Sequence, residues 1–300
     1  MGSMKNRRKI FDDMLITASE INNYKIYLIT MEKSSQYWNF MNQGVSDMAK
    51  LLGITYTWAA PQSRDVNEQI DIINKAVQNG ANALMIAAID PFQVSRAIED
   101  AKSIGVKIIY VDSPANEEGI VTLTTDNYSA GVTAGQTMIF ELDAVGIRSG
   151  SIGVVSVTLE TPTTLNRENG FRNVIVADGR YKLLTTQYAG GNIALAQSFA
   201  EAFISNTPDL VGLFGTNEDT TIGVGTAITL SQKRIVGIGF DISETIQSFI
   251  NNGSLKAVME QSPYTMGYLG LAETIAALLG FDTGGPFINT GITIRTKYTY

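Results

Sequence analysis

From Tyr24 to the end of the chain, short apolar runs alternate with amphipathic segments, and glycine closes several of the latter. The runs at 24–30, 54–59, 83–88, 107–111 and 121–124 read as strands. Between them, Phe40, Met41, Val45, Met48, Ala49 and Leu52 recur at helical spacing up to Gly53. Val66, Gln69, Ile70, Ile73 and Val77 do the same up to Gly80, and a third helix over 91–104 stops at Gly105. Asp126 or Asn127 caps a fourth, from Tyr128 to about Leu142. After Gly150 the pattern restarts, with strands over 152–157, 181–188, 210–214, 235–238 and 255–259. Helices over 163–177, 193–204, 218–230, 243–250 and 265–279 are interleaved with them, before a terminal strand near Ile292. Such alternation through short loops predicts parallel sheets covered by helices on both faces. Right-handed crossovers fix how each half is wound. Two such halves predict two lobes, although no residue-level repeat relates them.

Composition removes several classes of function. A net charge of −7 offers no basic stripe for phosphates, so no nucleic-acid partner is expected. The 300 residues contain no Cys and no His, which excludes thiol nucleophiles, Ser-His relays and most transition-metal sites. Carboxylate chemistry survives that test, but nothing in the sequence marks a raised acid opposite a base. The expectation is a protein that is not an enzyme and needs no cofactor or metal. No apolar run is long enough to span a bilayer. Met1-Gly2-Ser3 before Met4 reads as an expression leader, and residues 1–23 as tag and tail. In that tail Lys5, Arg7, Arg8 and Lys9 precede Phe11, Met14, Leu15 and Ala18, which share one helical face. It is either a mobile tail or a tether beside a membrane.

Ligands of open α/β sheets bind where strands end, so the residues there carry the functional reading. Ser34, Ser35, Gln36, Tyr37 and Trp38 follow the first strand. Two rings beside small polar groups suit a molecule with an apolar face and a rim of hydroxyls, which is the shape of a sugar. The same rings could instead pack the helix start into the core. Asp112 follows the fourth strand, where it is a turn former before Pro114 or a ligand group. Asn217, Asp241 and Gln261 end strands of the second half. The first two are also good helix N-caps, and Gln261 could merely satisfy backbone groups ahead of Ser262-Pro263. Five polar strand ends from both halves point to one shared cleft.

Taken in order, Tyr37-Trp38, Asp112, Thr125-Asp126-Asn127, Arg167-Glu168-Asn169-Gly170-Phe171, Asn217-Glu218, Gly239-Phe240-Asp241 and Gln261-Ser262-Pro263 resemble the ribose/galactose type of bacterial sugar-binding proteins. The resemblance runs from about residue 24 to the end. It implies a type I periplasmic-binding-protein-like fold: α/β, with two doubly wound parallel-sheet lobes joined by a three-stranded hinge. The crossings would lie near Asp126, Gln261 and Asn289. One lobe would then hold 24–126 with 262–289, and the other 127–261 with 290–300. It further implies that Tyr37 and Trp38 stack on the sugar ring while Asp112, Asn217, Asp241 and Gln261 bond its hydroxyls. Gln36 joins this set from the same loop. Arg167 either reaches the ligand or makes a structural salt bridge.

Two departures bear on the ligand. Ribose binders follow the fourth-strand Asp with Arg, where this chain has Ser113, and carry another Arg where it has Leu165. Each guanidinium would have forked onto neighbouring hydroxyls, so ribose itself is disfavoured. The expected function is an extracytoplasmic receptor for a monosaccharide, a pentose and foremost xylose. Its partner would be an ABC permease or the ectodomain of a sensor histidine kinase. The alternative is the effector core of a sugar-responsive transcription repressor. Those carry a helix-turn-helix of about 50–60 residues before the core, and only about twenty residues precede Tyr24.

Overall fold

The computed structural model describes residues 21–299. The basic cluster and the apolar tail residues Phe11, Met14, Leu15 and Ala18 lie outside them. Two sheets organise the rest. The first runs β12-β5-β4-β3-β1-β2 and is parallel throughout. Its strands are β1 (Ile26–Ile29), β2 (Thr57–Ala59), β3 (Ala83–Ile86), β4 (Lys107–Val111), β5 (Val121–Thr124) and β12 (Phe287–Asn289). The second runs β13-β11-β10-β9-β6-β7, with β8 paired to β6. Its strands are β6 (Gly150–Ser156), β7 (Tyr181–Leu183), β8 (Gln187–Tyr188), β9 (Leu210–Gly215), β10 (Val236–Phe240), β11 (Ala257–Gln261) and β13 (Ile292–Thr296). Among the described residues only β13 pairs antiparallel.

The strands are apolar on both sides because helices cover both faces. In the first lobe α1 (Gln36–Leu52) and α9 (Pro263–Leu278) lie on one face. Their Met41, Val45, Met266 and Leu271 pack on Leu28, Met85, Ile109 and Val111. On the other face α2 (Val66–Gln78) and α3 (Ser95–Ser103) bury Ile73 and Ile98 against Ile29, Leu84, Ile86 and Ile108. The second lobe repeats the plan. There α4 (Asn127–Ala144) and α5 (Pro162–Asp178) cover Ile152, Val154, Phe214 and Ile238. On the opposite face α6 (Ile193–Asn206), α7 (Glu218–Ser231) and α8 (Glu244–Asn252) cover Val155, Leu213 and Val258.

The chain leaves the first sheet after β5 and enters α4 of the second lobe. It returns after β11 into α9, and crosses again between β12 and β13. The crossings are tied together. Thr125 Oγ1 donates to Gln261 Oε1 at 2.8 Å, and the Asp126 N–H donates to Asn289 Oδ1 at 3.1 Å.

Three local expectations need correction. The strand read over 181–188 is two strands, β7 and β8. Between them Arg172 donates to Leu184 O and Thr186 Oγ1, and Thr186 donates to Glu168, so α5 holds the segment off the ladder. Helix α3 starts at Ser95 rather than residue 91, because the Asp90 carboxylate accepts the Phe92 and Gln93 N–H groups and holds a turn there. Strand β12 was not foreseen at all. It is three residues long, lies at the sheet edge and leaves Phe287 exposed, so it carries no apolar run.

Glycine brings the first helix pair of each lobe into backbone contact. A Cβ at Gly267 of α9 would stand 2.0 Å from Met41 O of α1, and one at Gly44 would stand 2.1 Å from Tyr264 O. In the second lobe Gly131 and Gly170 meet in the same way across α4 and α5, at 2.1 and 2.2 Å from Arg167 O and Tyr128 O. No side-chain movement relieves a clash with backbone, so the helices themselves must part. Gly267→Ala and Gly170→Ala are each expected to cost about 2–3 kcal/mol or more and to lower the thermal unfolding midpoint by several degrees. Scanning calorimetry giving wild-type midpoints for both would contradict this packing.

Candidate functional site

The two sheets present their carboxyl ends to each other, and an aspartate stands at the equivalent strand end of each. Asp112 follows β4 and Asp241 follows β10, and both adopt φ 67°, a left-handed backbone. Aspartate tolerates that region better than most residues, and such strain concentrates at functional sites. The backbone bond is the same in both lobes. Asp112 N–H donates to Leu123 O at 2.8 Å, and Asp241 N–H to Met259 O at 3.0 Å. Both carboxyl groups are buried.

Each carboxylate has partners within the protein. Tyr37 Oη donates to Asp112 Oδ1 at 2.6 Å. Gln261 Nε2 donates to Asp241 Oδ1 at 2.8 Å, and the Glu218 N–H donates to Asp241 Oδ2 at 3.0 Å. Asp241 does not cap the helix that follows it, because Ser243 is the N-cap of α8. Its carboxylate instead serves the first turn of α7. Asn217 is the N-cap of that helix through a capping box with Thr220, and its Nδ2 also donates to Asp219 at 3.3 Å. Arg167 is buried and bonds neutral acceptors, Asn127 Oδ1 at 2.7 Å and Thr216 O at 3.0 Å. Its guanidinium lies 4.4 Å from the Phe240 ring centroid. A structural salt bridge is therefore not what holds it.

Seven of the eight residues picked out from the sequence line one pocket between the lobes: Tyr37, Trp38, Asp112, Arg167, Asn217, Asp241 and Gln261. Gln36 does not. Its Oε1 accepts the Glu244 N–H at 3.1 Å on the exposed side of the gap. Tyr37 and Trp38 are both buried, with ring centroids 4.9 Å apart and planes at 89°. One sugar face can lie flat against only one of them. The helix-packing role of these rings also holds, since both belong to the core cluster beneath α1.

Residues to which the sequence reading gave no ligand role add to the lining. Thr161, Thr163 and Thr164 open α5 and add hydroxyl groups. Arg64, from the loop before α2, reaches Asp219 of the other lobe at 3.5 Å and Glu32 at 3.9 Å. Glu218 is the first residue of α7, and its carboxylate accepts the N–H groups of Gln36 at 3.2 Å and Tyr37 at 2.9 Å. Among the described residues no group of three or more His, Cys, Asp or Glu is arranged to hold a metal.

Burial dominates the electrostatics. It pushes the Glu218 carboxyl up to about 7, helped by the charge of Asp241 and opposed by the Tyr37 and Gln36 N–H groups. Asp241 is pushed up to about 6 by burial, against the pull of Arg167 and Gln261. Asp112 is raised by burial, against Arg167 and the Tyr37 hydroxyl. Burial also raises Asp219, against Arg64. Carboxylates thus outnumber the guanidinium groups Arg64 and Arg167 around the pocket, which favours neutral ligands over anions.

A family model described as a periplasmic binding protein domain matches residues 26–281. The ribose import binding protein RbsB of Bacillus subtilis is 26% identical over 255 residues, covering 84% of this chain and 81% of the relative. The xylose/arabinose-binding protein XylF of Sulfolobus acidocaldarius is 25% identical, covering 88% and 71%. Among solved structures, a carbohydrate transporter solute-binding protein of Agrobacterium radiobacter in complex with D-arabinose superposes with a TM-score of 0.88. It is 27% identical, with 91% and 94% of the two chains covered. An ABC transporter solute-binding protein of Agrobacterium vitis with bound D-fucose gives 0.85 at 28% identity, covering 91% and 95%.

The raised carboxyl groups set a pH dependence. A carboxyl with a native pKa above its unfolded value holds its proton more tightly when folded. Its contribution to stability is therefore greatest below the unfolded value and is lost as pH rises through the native one. For Asp241 and Glu218 that window runs from the ordinary values 3.8 and 4.5 to about 6 and about 7. The carboxyl groups held low, Asp47, Asp90, Asp143 and Asp178, titrate below 3.8 and do not oppose the trend there. The ligand-free protein is expected to melt at a higher temperature near pH 5.5 than near pH 8, with a smaller difference in Glu218→Gln. A flat or inverted profile for the wild type would refute the burial argument.

Proposed function

The chain belongs to the periplasmic binding protein domain family, and on that premise we propose that it is an extracytoplasmic receptor for a neutral monosaccharide, a pentose and foremost xylose. The family is one of substrate-binding proteins rather than enzymes. The relatives named above bind or import ribose, xylose, arabinose and fucose, all neutral sugars. The receptor delivers its sugar to an ABC importer, or reports it to the ectodomain of a sensor histidine kinase.

One observation carries this reading: paired aspartates at equivalent strand ends of opposite lobes, with a buried guanidinium bonded to neutral acceptors beside them. A hydroxyl can donate to either carboxylate while accepting from Arg167, and such charge-assisted bonds fix hydroxyl orientation. A ring face from Tyr37 or Trp38 meets the apolar face of the sugar, and Asn217 and Gln261 bond further hydroxyls. Full bonding requires both lobes at once, so the ligand favours the closed form by its differential contacts. Closure turns about the crossings near Asp126, Gln261 and Asn289. The lobes are residues 24–126 with 262–289, and 127–261 with 290–300.

Ser113 supports the choice against ribose. It occupies the position of the missing Arg, is fully buried, and its hydroxyl has no hydrogen-bond partner. No guanidinium reaches the pocket from there. The carboxylates that line the pocket with Arg64 and Arg167 disfavour uronates and sugar phosphates. No helix among the described residues is long and apolar enough to cross a membrane.

Calorimetry against a panel of pentoses and hexoses tests the reading, with indole fluorescence as a second signal. Xylose or arabinose is expected to bind, while glucuronate and ribose 5-phosphate should not. Asp241→Ala is expected to weaken sugar binding by about 2–4 kcal/mol. A panel with no binder sinks the proposal, and unchanged affinity in Asp241→Ala removes that residue from the site. Co-purification with permease or kinase ectodomain then identifies the partner.

A further inference from the structure

Helix α1 carries Tyr37 and Trp38, yet its own lobe caps only the approach to it. Glu32 accepts the Ser34 and Ser35 N–H groups at 2.8 and 3.3 Å, and no local acceptor serves the first helical N–H groups, those of Gln36 and Tyr37. The N-cap residue Ser35 makes no side-chain cap bond, and no acidic residue lies in the first turn. The Ser35 hydroxyl is buried without any partner. The first N–H groups of a helix need acceptors and carry the positive end of its dipole. Here the acceptor comes from the other lobe: both oxygens of Glu218 are used, one on Gln36 N–H and one on Tyr37 N–H. Glu218 is itself held at the start of α7, its own N–H bonded to Asp241. Two helix N-termini thus face each other across the gap with one carboxylate between them.

We propose that Glu218 is a positioning residue that latches the two lobes, capping α1 from the opposite side of the cleft and so fixing Tyr37 and Trp38 over the ligand. Two other contacts between side chain and opposite lobe are weaker candidates. The Arg64–Asp219 pair is long at 3.5 Å, and the Gln36–Glu244 bond is exposed. Glu218 differs from both in placing one buried carboxylate on two backbone N–H groups of the opposite lobe. The latch bonds only when the lobes meet, so it adds to closure whatever sugar is bound. Its loss should appear in the dissociation rate, because the ligand first meets an open cleft.

The placement over a sugar rests on the receptor reading, whereas the latch itself does not, and the two are tested separately. Because the chain has no cysteine, Asn74→Cys on α2 and Ala202→Cys on α6 can carry spin labels without background. Interlobe distances are read at pH 8, without and with xylose, in wild type, Glu218→Ala and Glu218→Asp. Aspartate keeps the charge but is one methylene too short to reach both N–H groups. Both variants are expected to lose at least about tenfold in the ratio of closed to open form. Stopped-flow with the bound sugar should show faster release at an unchanged association rate. An equal or larger closed population in Glu218→Ala, or wild-type behaviour in Glu218→Asp, overturns the latch. A wild type that binds no sugar but loses its closed form on Glu218→Ala fails the receptor reading and keeps the latch.

Discussion

Carboxylates at the interlobe gap are kept from water, and the surrounding structure is arranged to give each of them donors. A buried charge without partners is far more costly than one that is hydrogen-bonded. Here the donors are largely backbone groups at helix starts. Asp241 takes the first N–H of α7, and Glu218 takes the first two of α1. Gln261 joins this chain to a crossing strand by donating to Asp241 while accepting from Thr125. Tyr37 carries it onward to Asp112. The polar network therefore runs from the hinge, through the second lobe, across the gap and into the first.

That network depends on two lobes built alike. Strands β1, β3, β4, β5 and β12 of the first sheet have counterparts β6, β9, β10, β11 and β13 in the second. Asp112 and Asp241 end matching strands with the same left-handed backbone and the same bond to the next strand. Each lobe also covers one sheet face with a helix pair in backbone contact at glycine, Gly44 with Gly267 and Gly131 with Gly170. The similarity is one of geometry rather than of residue order, since the sequence shows no repeat between the halves.

Much of this was legible in the chain because its signals are local. Apolar runs broken by glycine give the strands and helices, and polar residues after those runs mark where the sheets end. That logic gathers Tyr37, Trp38, Asp112, Asn217, Asp241 and Gln261 at one gap, and only the family resemblance adds Arg167, which lies inside α5. It misplaces Gln36, whose position beside Tyr37 says nothing of the direction its side chain takes. Glu218 stands in the motif beside Asn217 without a role, and Arg64 in none, because an acidic first turn and a loop arginine are ordinary features until the opposite lobe is present. Thr161, Thr163 and Thr164 likewise look like a helix start. Strand β12 has too few residues and too little burial to announce itself.

The second crossing has a mechanical consequence. Gln261 is the last residue of β11, and Pro263 already begins α9, whose backbone is seated on α1 at Gly267. Only Ser262 separates a strand locked into one sheet from a helix clamped to the other lobe. With so little slack, any rotation at this crossing is confined to the torsions of about one residue. The strand end that must absorb it holds Gln261, so a turn of the joint tugs directly on Asp241.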